Sequence, residues 1–193
     1  KDKPVIDHTM LTIQGEDYAE KSESYIRGAK SNDYNAYPYD PVKKKINYLE
    51  PESWEDPGEL VTYTFEVEES GLYNIHFKYK QYEKKDFPAF KRIYIDGSVP
   101  FSELEEYAFP YTGAKYANHT LMVGNEKALI YIEKGVHSLT IESTASPYLE
   151  TNENLLNVID FISDIALQIK YITGNKVDKN RDWNIIEYVP TIK

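Results

Sequence analysis

Tyr34, Tyr37, Tyr39 and Trp54, with Tyr82 further along, are the side chains whose type and spacing offer chemistry. Each joins a flat apolar face to a hydrogen-bonding tip and loses little rotamer freedom when fixed in place. Sugar rings present apolar faces that stack on such planes, and their hydroxyls need amide or charged partners, which Asn35, Asp40 and Arg92 can supply. Pro38 and Pro41 stiffen the backbone between the rings, so a platform built here needs less ordering on binding. The same rings would serve equally well tucked under a long loop as its anchors. Both readings stand for each residue, and the cluster as a group favours binding.

Other chemistries fit less well. Paired-carboxylate catalysis requires two acids about 5 to 10 Å apart with separated pKa values. The 32 acidic residues offer many pairs, but context distinguishes none, so the expectation is a protein that is not an enzyme. His8, His76, His119 and His137 lack the spacing of metal ligands and read as surface or strand-edge residues. Asp178, Asn180 and Asp182 copy the first half of a calcium loop, yet Trp183 stands where the loop requires Gly and no Glu follows at its twelfth position. A solvated turn explains those charges. Asn118-His-Thr120 is a glycosylation sequon that matters only in a eukaryotic secretory setting.

The chain of 193 residues suffices for one domain with a hydrophobic core and an appendage. Its net charge of -10 repels nucleic-acid phosphates and anionic lipid, which leaves a neutral or cationic partner. Without cysteine there is neither a disulfide framework nor a thiolate metal site. No apolar run is long enough to insert into a membrane. The start at Lys1, with no initiator Met and no signal peptide, suggests a processed protein or a piece of a longer one. Eighteen tyrosines suit a carbohydrate surface, although strands also collect aromatic residues.

The elements that must position these residues follow from periodicity. Val61, Tyr63, Phe65 and Val67 alternate with polar residues, and after Glu68-Glu-Ser-Gly71 the alternation resumes through Tyr73, Ile75, Phe77 and Tyr79. This reads as two antiparallel strands of a hairpin. Residues 128–132 and 136–142, around Glu133-Lys-Gly135, read as a second hairpin. An opening strand is expected over Met10 to Gln14, a strand ending in the turn Asp96-Gly97, and a short helix opened by the capping box Ser102-Glu-Leu-Glu105 and running to about Phe109. The proline- and Asn/Asp-rich stretch from Ser22 to Pro57 reads as long surface loops. Beyond Pro147 the apolar residues from Leu155 to Ile172 recur at three and four, a helical period, with Asn152 or Asn154 available as a cap and Gly174 as the stop. A last strand over Asn157 to Ile162 competes, but the periodicity outlasts a strand.

Laid out in this order, Ile13-Gln-Gly-Glu-Asp17, Gly58 to Val67, Gly71-Leu-Tyr-Asn-Ile75, Ile93-Tyr-Ile-Asp-Gly97 and Glu133 to Ile141 resemble the carbohydrate-binding modules of families 6 and 35 over residues 10–145. The resemblance implies a jelly-roll β-sandwich, no catalysis, and glycan binding at the loop edge or on a sheet face. Such modules usually flank the small residue of the first motif with two acids that help hold a structural calcium. Here Gln14 takes the first place and Glu16 the second, so Glu16 is the metal ligand carried over. A further ligand is usually an Asp of the last strand, whereas Asp160 falls in the stretch read as helix. No cofactor is required, and a structural calcium stays open.

Ile172 to Trp183 resembles the segment that joins such a module to the next domain in large bacterial extracellular solute-binding proteins. The expectation is therefore an all-β module over 1–147 with a C-terminal amphipathic helix and linker over 148–193, part of a multidomain protein at a bacterial cell surface. Its expected partner is a polysaccharide or oligosaccharide held by Tyr34, Tyr37, Tyr39, Trp54, Tyr82 and Arg92. The rival expectation is a structural or interaction domain of such a protein with no glycan binding of its own.

Overall fold

The computed structural model describes residues 3–40, 42, 45–82 and 85–192. The chain divides into two compact units, Lys1–Ala145 and Ser146–Lys193. In the first unit the strands are β1 (Glu20–Lys21), β2 (Gly28–Ala29), β3 (Tyr48–Leu49), β4 (Leu60–Val67), β5 (Gly71–Tyr73), β6 (His76–Tyr79), β7 (Ala89–Ile95), β8 (Tyr107–Phe109), β9 (Ala117–Thr120), β10 (Met122–Val123), β11 (Glu126–Lys127), β12 (Ile130–Ile132) and β13 (Gly135–Thr144). The main sheet has the order β1-β4-β13-β7-β8 and is antiparallel throughout. The remaining strands form antiparallel pairs, β5 with β12, β6 with β9, β2 with β3 and β10 with β11.

Alternation decides which side chains enter the core. Val61, Tyr63, Val67, Ile93, Ile95, Leu139 and Ile141 of the main sheet are buried in one cluster with Leu121, Ala128, Ile130 and Ile132 from the other layer. Phe77, Tyr79, Tyr107 and Phe109 add edge-to-face aromatic contacts to it, with ring centroids of Phe77 and Phe109 5.3 Å apart.

The expected hairpins are arches. β4 pairs with β1 and β13, whereas β5, which follows it, pairs with β12, so residues 68–70 carry the chain from one sheet to the other. Residues 133–134 repeat the crossing beside it, with Gly135 opposite Val67 in one sheet and Ile132 opposite Gly71 in the other. Period-two alternation identifies strands but not their partners, and two short loops that cross between layers look the same in sequence as two that fold back.

Two further expectations for the first unit change. Met10 to Gln14 is not a strand, and Met10 is 88% exposed. The chain instead joins the fold at Val5, which bridges Leu72, with Ile6 N–H donating to the Leu72 carbonyl at 2.9 Å. Gly71 makes that approach feasible, because a Cβ there would lie 2.5 Å from the Ile6 side chain and 2.8 Å from the Pro4 carbonyl. The Ser102 segment forms only one 3-10 turn, Ser102–Leu104, after which Tyr107 and Phe109 turn inward and pair with β7 as β8. The burial of two aromatic rings outweighs the weak local helix signal. The Asp96-Gly97 turn forms as expected, with φ of 50° and 75° and a bridge from Ile95 to Ser98.

In the second unit α1 spans Ser146–Thr173, so Asn152 and Asn154 lie inside the helix rather than at its cap. Gly174 ends it at φ 73°, donating its N–H to the Lys170 carbonyl at 2.8 Å. Asp178 and Asp182 accept from the Asn180 and Asn184 amides, Arg181 lies 4.3 Å over the Trp183 ring, and the short helix α2 (Ile185–Tyr188) follows. No described helix is long and apolar enough to cross a membrane.

Candidate functional site

At one end of the main sheet β4 and β7 begin and β13 finishes, and there the long connections 50–59, 80–88 and 110–116 meet. Side-chain contacts tie them together. The Tyr82 hydroxyl donates to Glu52 Oε1 at 3.1 Å. The Gln81 amide donates to Thr112 Oγ1 and the Thr112 amide to the Gln81 carbonyl, both at 3.0 Å. Lys80 Nζ lies 4.7 Å from the centre of the Tyr82 ring and 5.9 Å from that of Tyr116. Tyr116 in turn lies near Ser31 and Asp33, which brings in the loop that carries Tyr34, Tyr37 and Tyr39.

The local field is acidic. Burial and the neighbours Asp33, Tyr48 and Glu16 push the Tyr116 hydroxyl up, and burial with Glu50 and Glu52 does the same for Tyr48. Both phenols therefore stay protonated and able to donate. The edge thus combines aromatic faces with hydroxyl donors, carboxylate acceptors and one ammonium, the set needed to stack on a sugar ring and to satisfy its hydroxyls.

The expected binding residues fall in three places. Tyr34, Tyr37 and Tyr39 are 79%, 69% and 46% exposed on a loop braced from below by the buried Asn47. Asn47 accepts from the Ser31 amide at 2.7 Å and donates to the Ser31 and Pro38 carbonyls. Tyr82 stands at the edge itself. Trp54 instead packs against the core, its Nε1 donating to the Glu59 carbonyl at 3.2 Å and its ring carrying Lys91 Nζ at 3.6 Å. Arg92 points from the opposite face of the main sheet, where its Nε donates to the Glu105 carbonyl at 3.1 Å and its Nη1 lies 3.6 Å from Glu142. Pro41 lies outside the described residues.

Lys80, Glu52, Tyr48 and Tyr116 escape the sequence reading. The usable signal was the density of tyrosine and lysine at strand ends, Lys78 to Tyr82 and Tyr111 to Tyr116, but only the antiparallel order brings those ends to Glu52.

Glu16 is not joined by a second and third acidic or histidine side chain among the described residues. Calcium takes roughly six to eight oxygens and favours several carboxylates. No group of three or more His, Asp or Glu among the described residues could hold a metal. Glu16 Oε2 is buried without a partner among those residues, and burial raises its pKa. The histidines are engaged within unit 1. His119 Nε2 meets the Tyr107 hydroxyl at 2.8 Å, His76 Nδ1 meets Thr120 Oγ1 at 2.7 Å, and His137 Nδ1 meets Asp96 at 2.6 Å.

Comparison with known proteins separates the two units again. A cycloisomaltooligosaccharide glucanotransferase of Paenibacillus sp., solved with cycloisomaltoheptaose, is similar to 69% of this chain at 18% identity and a TM-score of 0.51. The chain spans 16% of that enzyme's length. A family 35 carbohydrate-binding module from Clostridium thermocellum matches 68% of this chain and 84% of its own at 16% identity and a TM-score of 0.46. The GH26-CBM35 β-(1,4)-mannanase of Podospora anserina matches 69% of this chain and 24% of its own at 13% identity and a TM-score of 0.44. No curated protein matches the chain. Residues 150–193 match the family described as bacterial solute-binding protein, 4-helix bundle domain. The first unit thus has a fold of the kind found in part of a glucanotransferase, and the second resembles a piece of a bacterial solute-binding protein.

Proposed function

We propose that the first unit is a non-catalytic jelly-roll module of the family 6/35 type that binds a polysaccharide or oligosaccharide at the edge formed by Tyr48, Tyr82 and Tyr116. Tyr34, Tyr37 and Tyr39 extend the surface, Lys80 and Glu52 meet the hydroxyls, and Trp54 and Arg92 act from outside the contact. The observation that carries this reading is the tie among connections, Tyr82 to Glu52 at 3.1 Å and Lys80 across the Tyr82 and Tyr116 rings. A preorganised aromatic edge has less ordering to do when a ligand arrives. The glucanotransferase of similar fold was solved with a cyclic oligosaccharide, which fits this ligand class.

Affinity electrophoresis against a panel of soluble plant and microbial polysaccharides, with and without EDTA, tests the proposal. Retardation by at least one glycan is expected, and its loss in EDTA would assign a structural calcium to the Glu16 region. Tyr82→Ala and Tyr116→Ala should each weaken retention about tenfold, the loss of one stacking contact of about 1.4 kcal/mol, with the circular dichroism spectrum intact. No retardation across the panel removes the reading.

A second reading rests on the match of residues 150–193. In it the chain is part of a bacterial extracellular solute-binding protein, and the first unit is a spacer or docking domain with no glycan binding of its own. Retention that survives every substitution at the edge, or is absent altogether, favours it.

A further inference from the structure

The loop that carries Tyr34, Tyr37 and Tyr39 is closed by the side chain of Asn47, which stands just before β3 and is 6% exposed. β2 pairs with β3 so that Ala29 lies opposite Tyr48, and the Asn47 amide donates to the Ala29 carbonyl at 3.0 Å. Beyond that point the carboxamide takes over from the backbone. Its Oδ1 accepts from the Ser31 amide at 2.7 Å and its Nδ2 donates to the Ser31 carbonyl at 3.1 Å, so both backbone groups of Ser31 are met as a paired strand would meet them. Nδ2 also donates to the Pro38 carbonyl at 3.3 Å, which holds the two ends of the loop at one point.

Inside this closure the loop is turned by short-range contacts. The Asp33 amide donates to Ser31 Oγ at 3.1 Å, and the Asn35 and Ala36 amides donate to the Asp33 carboxylate at 2.9 Å and to its carbonyl at 3.0 Å. Ala36 is buried, whereas Tyr34 and Tyr37 on either side of it are exposed. A buried carboxamide with both its donors and its acceptor engaged thus orders a loop whose large side chains contribute little to the core. The loop adjoins the edge, because Ser31 and Asp33 lie near Tyr116.

We propose that Asn47 is a positioning residue that fixes Tyr34 and Tyr37 beside Tyr116, so that the site reads several consecutive sugars of a chain instead of a single ring. The inference rests on the reading of the edge formed by Tyr48, Tyr82 and Tyr116 as the binding site, and adds chain length to it. Asparagine suits the task by its donors and acceptor. Aspartate would set a carboxylate against the Ser31 and Pro38 carbonyl oxygens, and alanine would leave those groups without their partner. Neither change touches a ring. What is lost is the order of the loop in the free protein, and each sugar that stacks on the loop must then supply that ordering.

Calorimetric titration with disaccharide and hexasaccharide fragments, cut from the panel polysaccharide that retards the native chain most, reads chain length directly. The native chain should bind the hexasaccharide about tenfold more tightly than the disaccharide, the gain from one further stacking contact. Asn47→Asp should weaken the hexasaccharide about tenfold and the disaccharide by less than about twofold, and Tyr37→Ala should do the same. In a Tyr34→Ala/Tyr37→Ala background, Asn47→Asp should still lower the urea midpoint but change either affinity by less than about twofold, because the rings it places are gone. Equal affinity of the native chain for the two fragments overturns the proposal. So does equal weakening of both by Asn47→Asp, or a hexasaccharide loss that persists in the double background. If Asn47→Asp fails to fold, Asn47→Ser takes its place, and a hexasaccharide preference that survives Tyr34→Ala/Tyr37→Ala overturns the proposal in any case. Failure of the parent reading looks different. No retardation by any polysaccharide removes the edge and the role of Asn47 together. Retention that falls in Tyr82→Ala and Tyr116→Ala but is unchanged across the Asn47 and Tyr37 variants leaves the edge and removes only the role of Asn47.

Discussion

At one end of the main sheet the chain turns within a few residues, through Asp96-Gly97 and the arches at 68–70 and 133–134, whereas at the other it runs through the long connections 50–59, 80–88 and 110–116. The short turns are fixed by backbone geometry and by one exposed carboxylate, Asp96, which accepts from the Ser138 amide at 2.9 Å. The long connections are fixed by side chains, the buried Glu59 and Ser143 with the partly buried Lys91 and Trp54 indole, and an aromatic edge lies outside them. Titration runs in opposite directions at the two ends. Hydrogen bonding to Asp96 raises the pKa of His137, while burial lowers that of Lys91. An end made by turns leaves little surface for a ligand, and an end made by connections braced from within can present one.

The contrast between brace and surface is most sharply broken at two aromatic residues. Trp54→Ala should destabilise the first unit by about 2–3 kcal/mol, below the usual range for a fully buried aromatic because the ring is only half-buried. Tyr37→Ala, at 69% exposure, should fall within about 0.5 kcal/mol of the native chain. Urea denaturation of the two variants measures both. Equal losses would mean that Trp54 is no more an anchor than the exposed tyrosine, and the division between brace and surface would fail.

These two residues also mark what could be read from sequence. Strands 60–67 and 135–144 were legible because alternation reports burial directly, and the Asp96-Gly97 turn because only those types tolerate its left-handed backbone. The pairing was not legible, since an arch and a hairpin share the same local code. Likewise Tyr82 could be placed just past a strand end with Lys80 two residues before it, but Glu52 and Tyr116 join the pair only through contacts between separate connections, Glu52 lying 30 residues from Tyr82 in sequence. Trp54 was read by its loop address, whereas its place is set by inward-facing Lys91 on β7.

At the turn end the backbone dominates, so the next largest effect lies there. Gly97 sits at φ 75°, and a Cβ added there would meet nothing within 4 Å, so space is no obstacle and only conformation resists substitution. Gly97→Ala should lower stability by about 1 kcal/mol, and Gly97→Asn by clearly less, because Asn tolerates the left-handed region. Thermal melts of the pair separate strain from crowding. Equal shifts for both variants would place the loss in packing rather than in the turn.

The smallest effect sharpens the electrostatic half of the comparison. His137 bridges the turn end, its Nδ1 2.6 Å from Asp96 and its Nε2 2.6 Å from the Glu133 carbonyl. Both contacts are fully made when the ring carries two protons, and the Asp96 hydrogen bond is the main reason its pKa is raised above 6.5. A raised folded value means that the stabilisation is complete below the unfolded pKa and fades as pH rises through the folded one. Because Asp96 is half-exposed, the gain is screened and should stay under about 1 kcal/mol. His137→Ala should therefore narrow the urea midpoint gap to the native chain between about pH 5.5 and about pH 8.5. A gap that is constant with pH would show that His137 contributes packing against Phe65, whose ring centroid lies 5.9 Å away, rather than a charge-assisted contact with Asp96.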